Sequence, residues 1–283
     1  MRIIRTIAEM HEQSAAARRD GKRIGFVPTM GAFHAGHVSL MEQARAQCDV
    51  VVTSLFVNPT QFNEASDLAA YPRDEATDVR MASEAGVDVM FAPPADEMYP
   101  RGFATTIAVG GLEDVLEGAM RGPQHFRGVA TVVNKLFNIV APDAAFFGQK
   151  DAQQVAVIKR MAADLAMPVE IVVCDIVREP DGLAMSSRNV RLKGDDRTRA
   201  LALWRGLQAA KRAVDAGERN ADAIAAAGAS VMRADGIEPE YFAVVDRGSL
   251  VPLTTLDGDV LVAVAARVGP VRLIDNIVMR VSR

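Results

Sequence analysis

Residues 23–37 read RIGFVPTMGAFHAGH and join a short apolar run to a loop and the start of a helix. The apolar run at residues 23–27 stops at Pro28, and apolar side chains then recur at helical spacing through residues 35–47. Strand, loop and helix in this order are typical of the beginning of an α/β fold. We therefore expect the loop to lie at the carboxyl end of the first parallel strand.

The chain continues with apolar runs that alternate with helical segments as far as about residue 177. The predicted strands cover residues 49–57, 87–91, 144–147 and 169–177, and the predicted helices cover residues 75–85, 130–140 and 151–165. Apolar strands without polar alternation, separated by helices, indicate a parallel sheet with helices on both faces. Such sheets bind ligands beyond the carboxyl ends of their strands.

The pattern changes from about residue 190 onward. Alanine-rich helices are predicted at residues 195–216 and 221–234, followed by short strands at residues 239–246, 254–256 and 258–268. Helices followed by antiparallel-looking strands indicate a smaller α+β C-terminal domain. We predict a division into residues 1–177 and residues 178–283.

Composition excludes several classes of protein. The chain has 283 residues, of which 49% are hydrophobic and 24% charged, and its net charge of −4 gives no basic field for nucleic acid. The longest apolar run, residues 260–266, falls far short of the ~20 residues needed to span a membrane. Two cysteines, Cys48 and Cys174, form neither a disulfide framework nor a metal-binding spacing. We expect a cytoplasmic globular protein that binds neither nucleic acid nor membrane.

Two glycines and two histidines mark the first loop as a candidate ligand site. Gly31 and Gly36 allow the backbone to approach a ligand, and a helix N-terminus presents N–H groups to an anion. His34 and His37 are one helical turn apart, so both rings face the same way and can donate hydrogen bonds to phosphoryl oxygens. The alternatives are two ordinary surface histidines, or a zinc site for which no third ligand lies at a usual spacing.

A second strand-to-helix junction, residues 147–154, reads FGQKDAQQ. Gly148 permits close backbone approach, Lys150 supplies an ammonium group for phosphate, and Asp151 can cap the helix. Gln154 lies one turn further on and offers both a donor and an acceptor. The alternative is a plain helix cap beside a solvated lysine.

A third candidate is the segment LAMSSRN at residues 183–189. Its two hydroxyls and its arginine, Ser186, Ser187 and Arg188, suit a mobile loop that clamps a polyphosphate, although such loops are also common on surfaces. Gln61 follows a strand end directly, and we expect its amide in the same cleft. Smaller candidates are residues 58–62, 71–73 and 121–128.

Taken together, these blocks resemble the pantoate–β-alanine ligase (pantothenate synthetase) family of the His-x-Gly-His nucleotidyltransferase group, which belongs to the coenzyme A pathway. The resemblance runs nearly end to end and is carried by residues 27–40, 56–62, 71–73, 125–137, 147–154, 178–189, 240–246 and 263–277. It implies a Rossmann-like domain that binds ATP and pantoate at residues 1–177, a smaller lid domain at residues 178–283, and a homodimer.

The resemblance also implies a reaction and its co-substrates. Members of the family use ATP and Mg²⁺ to adenylate (R)-pantoate with release of pyrophosphate, and β-alanine then attacks the pantoyl adenylate to give pantothenate and AMP. Two alternatives stay open at this point. One is a nucleotidyltransferase whose acceptor is a phosphomonoester, and the other is a nucleotide-binding module without catalysis.

Site residues follow from the resemblance position by position. His37 is implied as the proton donor, and Gln61 and Gln154 as the amides that hold pantoate. The implied catalytic set is His34, His37, Lys150, Ser186, Ser187 and Arg188. The implied ATP contacts are Met30, Gly31, Ala32, Phe33, His34, Ala35, Gly36 and His37, then Gly148, Gln149, Lys150 and Asp151, then Val177, Met185, Ser186, Ser187 and Arg188.

One segment departs from the family pattern. Residues 121–126, RGPQHF, have one residue more than the family's Arg-Pro-Gly-His-Phe, so Arg121 is left out of the catalytic set. The sequence does not identify the metal ligands, and Asp78 is a candidate.

Overall fold

The computed structural model describes residues 1–62, 68–69 and 71–282 of the chain. Contacts divide the chain into two compact units, Met1–Gly148 with Val157–Asp175 and Gln149–Ala156 with Ile176–Arg283. The predicted boundary between residues 177 and 178 stays a prediction. The second unit also includes residues 149–156, which carry Lys150 and Gln154.

In the described part of the first unit, six strands form one sheet in the order β1-β4-β3-β2-β5-β6, and neighbouring strands are parallel. The strands are β1 Arg2–Ile4, β2 Ile24–Val27, β3 Val50–Ser54, β4 Val89–Phe91, β5 Ala144–Gly148 and β6 Glu170–Cys174. The predicted parallel sheet is confirmed. The chain order reverses between β2 and β5, so the loop after β2 lies at the switch point where such sheets bind ligands.

The helices of this part of the chain are α1 Ile7–Arg19, α2 Ala35–Gln47, α3 Glu75–Glu84, α4 Ala95–Met98, α5 Glu117–Arg121, α6 Pro123–Val140 and α7 Ala152–Asp164. α6 begins seven residues earlier than the predicted 130–140, because Pro123 occupies its first helical position. Proline is favoured there, since its fixed φ suits the helix and its missing N–H is not needed. Among the described helices, none is long and apolar enough to cross a membrane.

The core of the first unit fixes the two ends of the loop after β2. Val27 at the end of β2 and Met41 on α2 are both 0% exposed and belong to one cluster of buried side chains. The same cluster includes Val51 on β3 and Phe146 on β5. The loop is therefore anchored at both ends in well-packed structure.

The second unit has a helical part and a separate antiparallel sheet. Its helices are α8 Asp195–Arg199, α9 Leu201–Asp215 and α10 Ala221–Ala234, and its sheet has the order β7 Pro239–Asp246, β8 Gly258–Val268 and β9 Val271–Val281. The predicted smaller α+β architecture is confirmed. β8 and β9 pair over their whole length, from Gly258 with Val281 to Val268 with Val271.

Three details of the predicted second domain are wrong. The helix predicted at residues 195–216 is interrupted at Ala200. Residues 254–256 contribute only an isolated bridge between Thr255 and Asn220, and are not a strand. The third strand is β9, which was not predicted because polar Asp275 and Asn276 interrupt its apolar pattern.

Candidate active site

The loop between β2 and α2, residues 28–37, is called the histidine loop below. Its first part is tied to the end of β3: the Thr29 N–H donates to Ser54 Oγ at 3.1 Å, and the Thr29 hydroxyl donates to the Ser54 carbonyl at 2.5 Å. Gly31 has a φ of +86°, and a Cβ there would lie 2.5 Å from Leu55 Cδ1. Glycine is therefore required at this position both by the backbone conformation and by the space available.

A buried carboxylate holds the middle of the histidine loop. Asp78 on α3 is 2% exposed, and its two oxygens accept the N–H of Ala32 at 3.0 Å and of Phe33 at 2.7 Å. Burial raises the pKa of Asp78, and the N–H groups of Phe33 and Ala32 oppose that shift. The carboxylate suggested by sequence as a metal contact is thus engaged in positioning the loop backbone.

The two histidines lie at the start of α2. His34 is the N-cap residue, and its Nδ1 accepts the Gly36 N–H at 3.1 Å. Because Nδ1 is an acceptor, the neutral ring carries its proton on Nε2. The centroids of the His34 and His37 rings are 4.2 Å apart, and the ring planes are inclined by 38°. The pair can therefore present adjacent imidazole groups to one anionic ligand.

Gln61 ends a short turn, Pro59–Gln61, that follows β3. Asn58 is 1% exposed, and its Nδ2 donates to Gln61 Oε1 and to the Gly128 carbonyl, both at 3.1 Å. The Gln61 Nε2 in turn lies 3.1 Å from Met30 Sδ in the histidine loop. Tyr99 donates its hydroxyl hydrogen to Asn58 Oδ1 at 2.8 Å. The amide of Gln61 is therefore oriented by neighbours and lies next to the histidine loop.

α6 supports the same turn from its N-terminal half. His125 Nδ1 lies 2.8 Å from the Gln61 carbonyl. A Cβ at Gly128 would lie only 2.6 Å from the Thr60 carbonyl oxygen, so glycine permits the helix to approach the turn. Residues 58–62 and 121–128 were smaller candidates from the sequence, and Asn58, Gln61, His125 and Gly128 are among those that make contacts at this turn. Tyr99 was not predicted, because nothing in its local sequence distinguishes it.

The second unit contains the turn Gln149–Asp151, called the lysine turn below. Asn276 on β9 donates from Nδ2 to the Gln149 carbonyl at 3.0 Å and to the Lys150 carbonyl at 2.9 Å. Gln149 Nε2 donates back to Asn276 Oδ1 at 3.0 Å. The ammonium group of Lys150 lies 3.5 Å from an Asp151 carboxylate oxygen. Gln154, half-buried, follows in the first turn of α7.

An ion pair fixes the hairpin at residues 178–184. Arg178 donates to both oxygens of Asp275, at 2.6 and 2.9 Å, and to the Gly182 carbonyl at 3.0 Å. Its guanidinium carbon lies 3.7 Å from the centroid of the Trp204 ring. Burial raises the pKa of Asp275, and the Arg178 guanidinium opposes that shift. A partner of opposite charge and several hydrogen bonds thus compensate for burying this carboxyl.

The predicted phosphate clamp follows this hairpin directly. The Met185 N–H donates to the Val177 carbonyl at 3.0 Å, which brings these two predicted ATP contacts together. Ser186 caps the turn Ser187–Arg191, since its Oγ accepts the Arg188 N–H at 3.3 Å. Residues 186–191 are called the serine turn below.

The predicted site residues fall into one group in each unit. The first unit carries Met30, Gly31, Ala32, Phe33, His34, Ala35, Gly36, His37, Gln61 and, at the end of β5, Gly148. The second unit carries Gln149, Lys150, Asp151, Gln154, Val177, Met185, Ser186, Ser187 and Arg188. No group of three or more His, Cys, Asp or Glu side chains in the described residues could hold a metal ion.

Comparison with known proteins identifies the family. The family model for pantoate–β-alanine ligase matches residues 2–278. A pantothenate synthetase from Heliobacterium modesticaldum is 52% identical over 282 residues, which cover 99% of this chain and 100% of that protein. The crystal structure of a pantothenate synthetase from Thermus thermophilus has a TM-score of 0.91 and 46% identity, covering 98% of this chain and 99% of the other.

A second solved structure is that of a pantoate–β-alanine ligase from Francisella tularensis complexed with beta-gamma ATP and beta-alanine. It has a TM-score of 0.79 and 34% identity, and covers 98% of this chain and 97% of the other. The family match and these similarities extend over both units and over every predicted site segment. The chain belongs to the pantoate–β-alanine ligase family.

Proposed function

We propose that the chain joins (R)-pantoate to β-alanine at the expense of ATP, by way of a pantoyl adenylate, and releases pyrophosphate and AMP. Family membership supports the overall reaction. The observation that carries the proposal within the molecule is the pair of imidazoles, 4.2 Å apart, at the start of α2 on a loop held by Asp78. Because Nδ1 of His34 accepts the Gly36 N–H, Nε2 is the ring nitrogen that can donate to a phosphoryl oxygen.

The chemistry requires two displacement steps. A carboxylate oxygen of pantoate attacks the α-phosphorus of ATP, the bond from that phosphorus to the bridging oxygen breaks, and pyrophosphate leaves. The amine nitrogen of β-alanine then attacks the acyl carbon, the bond to the AMP oxygen breaks, and the amine loses a proton. Both steps develop negative charge on phosphate oxygens, so positioned hydrogen-bond donors and cations accelerate them.

The proposed ATP contacts are divided between the two units. In the first unit they are residues 30–37 of the histidine loop and Gly148, with His37 as proton donor and His34 beside it. In the second unit Lys150, Ser186, Ser187 and Arg188 hold and neutralise the phosphates, alongside Gln149, Asp151, Val177 and Met185. A relative from Francisella tularensis was solved in complex with beta-gamma ATP, which supports an ATP site in this chain, and hydrogen bonds hold the lysine and serine turns in place.

The proposed pantoate contacts are the amides of Gln61 and Gln154. The case for Gln61 is that Asn58 and Met30 already orient its amide, so little side-chain freedom is lost on binding. We further propose that residues 1–177 bind ATP and pantoate and that residues 178–283 act as a lid that keeps water from the adenylate. The homodimer and the cytoplasmic location stay predictions.

Mg²⁺ is part of the proposal. Proteins usually hold Mg²⁺ with one or two carboxylates, water and the phosphates of the substrate, so a three-residue metal cluster is not needed. Asp151, with a half-exposed carboxylate beside Lys150, fits the role of such a ligand. When bound, Mg²⁺ would neutralise phosphate charge.

The decisive experiment measures pyrophosphate release from ATP and Mg²⁺ with (R)-pantoate, with and without β-alanine. We expect release that requires pantoate, followed by AMP and pantothenate when β-alanine is added. ATP binding without pantoate-dependent release would contradict the proposal. Release with a phosphomonoester in place of pantoate would point to another acceptor, whereas ATP binding without release under any condition would indicate a module without catalysis.

Substitution of Gln61 tests the pantoate contact. We expect Gln61→Ala to weaken pantoate binding about fivefold, because a net hydrogen bond contributes about 1 kcal/mol. The measurement is calorimetric titration with pantoate, and exposed Gln43 on α2 provides the control variant Gln43→Ala. An unchanged pantoate affinity in Gln61→Ala would remove this residue from the proposed site, and Gln154→Ala tests the second amide in the same way.

A further inference from the structure

Asn276 on β9 holds the lysine turn through its backbone. Its side chain is 2% exposed and donates to two successive carbonyl groups, those of Gln149 and Lys150, at 3.0 and 2.9 Å. Its Oδ1 accepts from Gln149 Nε2 at 3.0 Å, so both ends of the amide are used on the same turn. Three hydrogen bonds to consecutive residues fix the turn, and with it the point from which the Lys150 side chain departs.

Asp275, the preceding residue, holds the segment that leads to the serine turn. It is 4% exposed and binds Arg178 through both carboxylate oxygens, at 2.6 and 2.9 Å. Arg178 follows Val177, whose carbonyl accepts the Met185 N–H. Gly182 of the same hairpin has a φ of +99°, and a Cβ there would lie 2.2 Å from the Trp204 ring. The hairpin is therefore held by the ion pair and by close packing at its tip.

The hydrogen bonds of Asn276 and the ion pair of Asp275 are linked to each other, and both residues lie in the regular strand β9. The Asn276 N–H donates to Asp275 Oδ1 at 2.7 Å, and Arg178 also donates to the Asn276 carbonyl at 3.4 Å. In the β8–β9 ladder, Asp275 is opposite Val264 and Asn276 is opposite Ala263. Side chains of adjacent strand residues point to opposite sides, so one short stretch of strand can hold two different segments.

We propose that Asp275 and Asn276 are positioning residues that fix the lysine turn and the serine turn relative to each other for binding the phosphates of ATP. This inference rests on the proposed function, in which Lys150, Ser186, Ser187 and Arg188 contact those phosphates. Neither Asp275 nor Asn276 contacts substrate in this proposal. Asn276 acts through the backbone of Lys150, and Asp275 acts through Arg178.

The test is a double-mutant cycle between Asn276→Ala and Lys150→Ala. We expect Asn276→Ala to lower kcat/KM for ATP about 10- to 100-fold, because a misplaced catalytic group can cost that much. In protein that already lacks the Lys150 side chain, the same substitution should lower kcat/KM less than about threefold, since the group it positions is absent. Equal losses in the two backgrounds would mean a general structural defect and would overturn the inference.

Leu273→Ala is the matched control for stability. Leu273 lies on the same strand, is 6% exposed and belongs to the core of the second unit. We expect it to lower the free energy of unfolding while leaving kcat/KM of the folded enzyme within about threefold of wild type. A loss of kcat/KM in Leu273→Ala as large as in Asn276→Ala would also overturn the inference. If Asn276→Ala does not fold, Asn276→Ser replaces it in the cycle.

Asp275→Asn paired with Arg188→Ala tests the ion pair between Asp275 and Arg178 in the same design. We expect Asp275→Asn to lower kcat/KM for ATP about tenfold, and by less than about threefold in the Arg188→Ala background. Equal losses in both backgrounds would overturn the role of Asp275.

Failure of the proposed function is recognised separately. Wild-type protein that releases no pyrophosphate with pantoate would refute the proposed function on its own. The ATP affinities of the same variants, measured by calorimetry, would still test the positioning role: coupled losses would support it, and additive losses would reject it.

Discussion

The histidine loop and the lysine turn are both proposed to contact ATP, but the residues that hold them lie at different distances along the chain. The histidine loop is capped by its own His34, and it is also bound by Ser54 and Asp78, 25 and 45 positions along the chain from the residues they bind. The lysine turn is fastened by Asn276, 127 positions from Gln149. The first segment is thus supported largely from within and from nearby elements, and the second from a distant strand.

This difference determines whether the residues that hold a segment can be recognised from the sequence. A capping residue and a glycine with positive φ act over a few residues, so they leave a readable local pattern. A side chain that binds backbone carbonyls of a distant turn leaves no pattern at the turn itself. Substitutions in both regions can test whether the comparison has functional consequences.

The largest effect is expected from His37, which we propose acts directly on ATP. We predict that His37→Ala folds and loses about 10²- to 10⁴-fold in turnover, the range for one positioned donor to a phosphoryl group. The measurement is the steady-state rate of pyrophosphate release at saturating substrates. His11→Ala, at an exposed position on α1, is the control and should retain full turnover. Near wild-type turnover in His37→Ala would end its assignment as proton donor.

Substitution of Asp78 tests how much the histidine loop depends on this buried carboxylate. We predict that Asp78→Ala lowers the free energy of unfolding by about 2–4 kcal/mol, because the N–H groups of Ala32 and Phe33 lose their acceptor. Urea unfolding measures the loss, with Asp96→Ala at an exposed position as the control. A loss of unfolding free energy no larger than in the control would mean that the loop keeps its conformation without Asp78. The loop would then differ more clearly from the lysine turn, which is held by a distant residue.

Gly128 tests the close approach of α6 to the turn that carries Gln61. An added Cβ would lie 2.6 Å from the Thr60 carbonyl oxygen, so Gly128→Ala must displace backbone atoms. We expect a net loss of about 1–3 kcal/mol in the free energy of unfolding, despite the better helix propensity of alanine, and a higher KM for pantoate. Gly110→Ala is the control, since no atom lies within 4 Å of the added carbon there. Identical KM values for both variants would contradict a tight contact at this turn.

The smallest effect is expected at Cys174, a buried thiol that lies outside the histidine loop and the lysine turn. Burial raises the pKa of Cys174 to about 11, with Asp175 adding to the shift. The folded state therefore favours the neutral thiol, and stability falls as the pH rises from the ordinary thiol pKa towards 11. We predict that Cys174→Ala keeps turnover within about twofold and loses stability less steeply than wild type over this pH range.

Urea midpoints of wild type and Cys174→Ala between pH 8 and pH 11 measure the difference. Parallel curves would show that the thiol does not contribute. A fall in turnover comparable to that of His37→Ala would bring β6 into the site and weaken the contrast between the two regions.

Local signals predicted much of the first unit correctly. The glycines of the histidine loop, the start of α2 at Ala35 and the parallel sheet all follow from short stretches of sequence. The first turns of α6 were missed, because residues 121–126 were interpreted as a motif and Pro123 was not recognised as a helix start. The assignment of site residues came from the family resemblance and stays a prediction until the variants are measured.

The α/β class, the histidine loop and the lysine and serine segments could be predicted from short stretches of sequence, because sterics, capping and hydrophobic periodicity act over a few residues. The resemblance to one family came from matching motifs along the chain. The contacts that hold those segments became visible from the fold. β9 was not predicted as a strand, and neither the amide of Asn276 at the lysine turn nor the carboxylate of Asp275 at Arg178 was foreseen. Such contacts exist only once the chain has brought distant residues together, since a buried polar group takes its partners from whatever the fold places beside it.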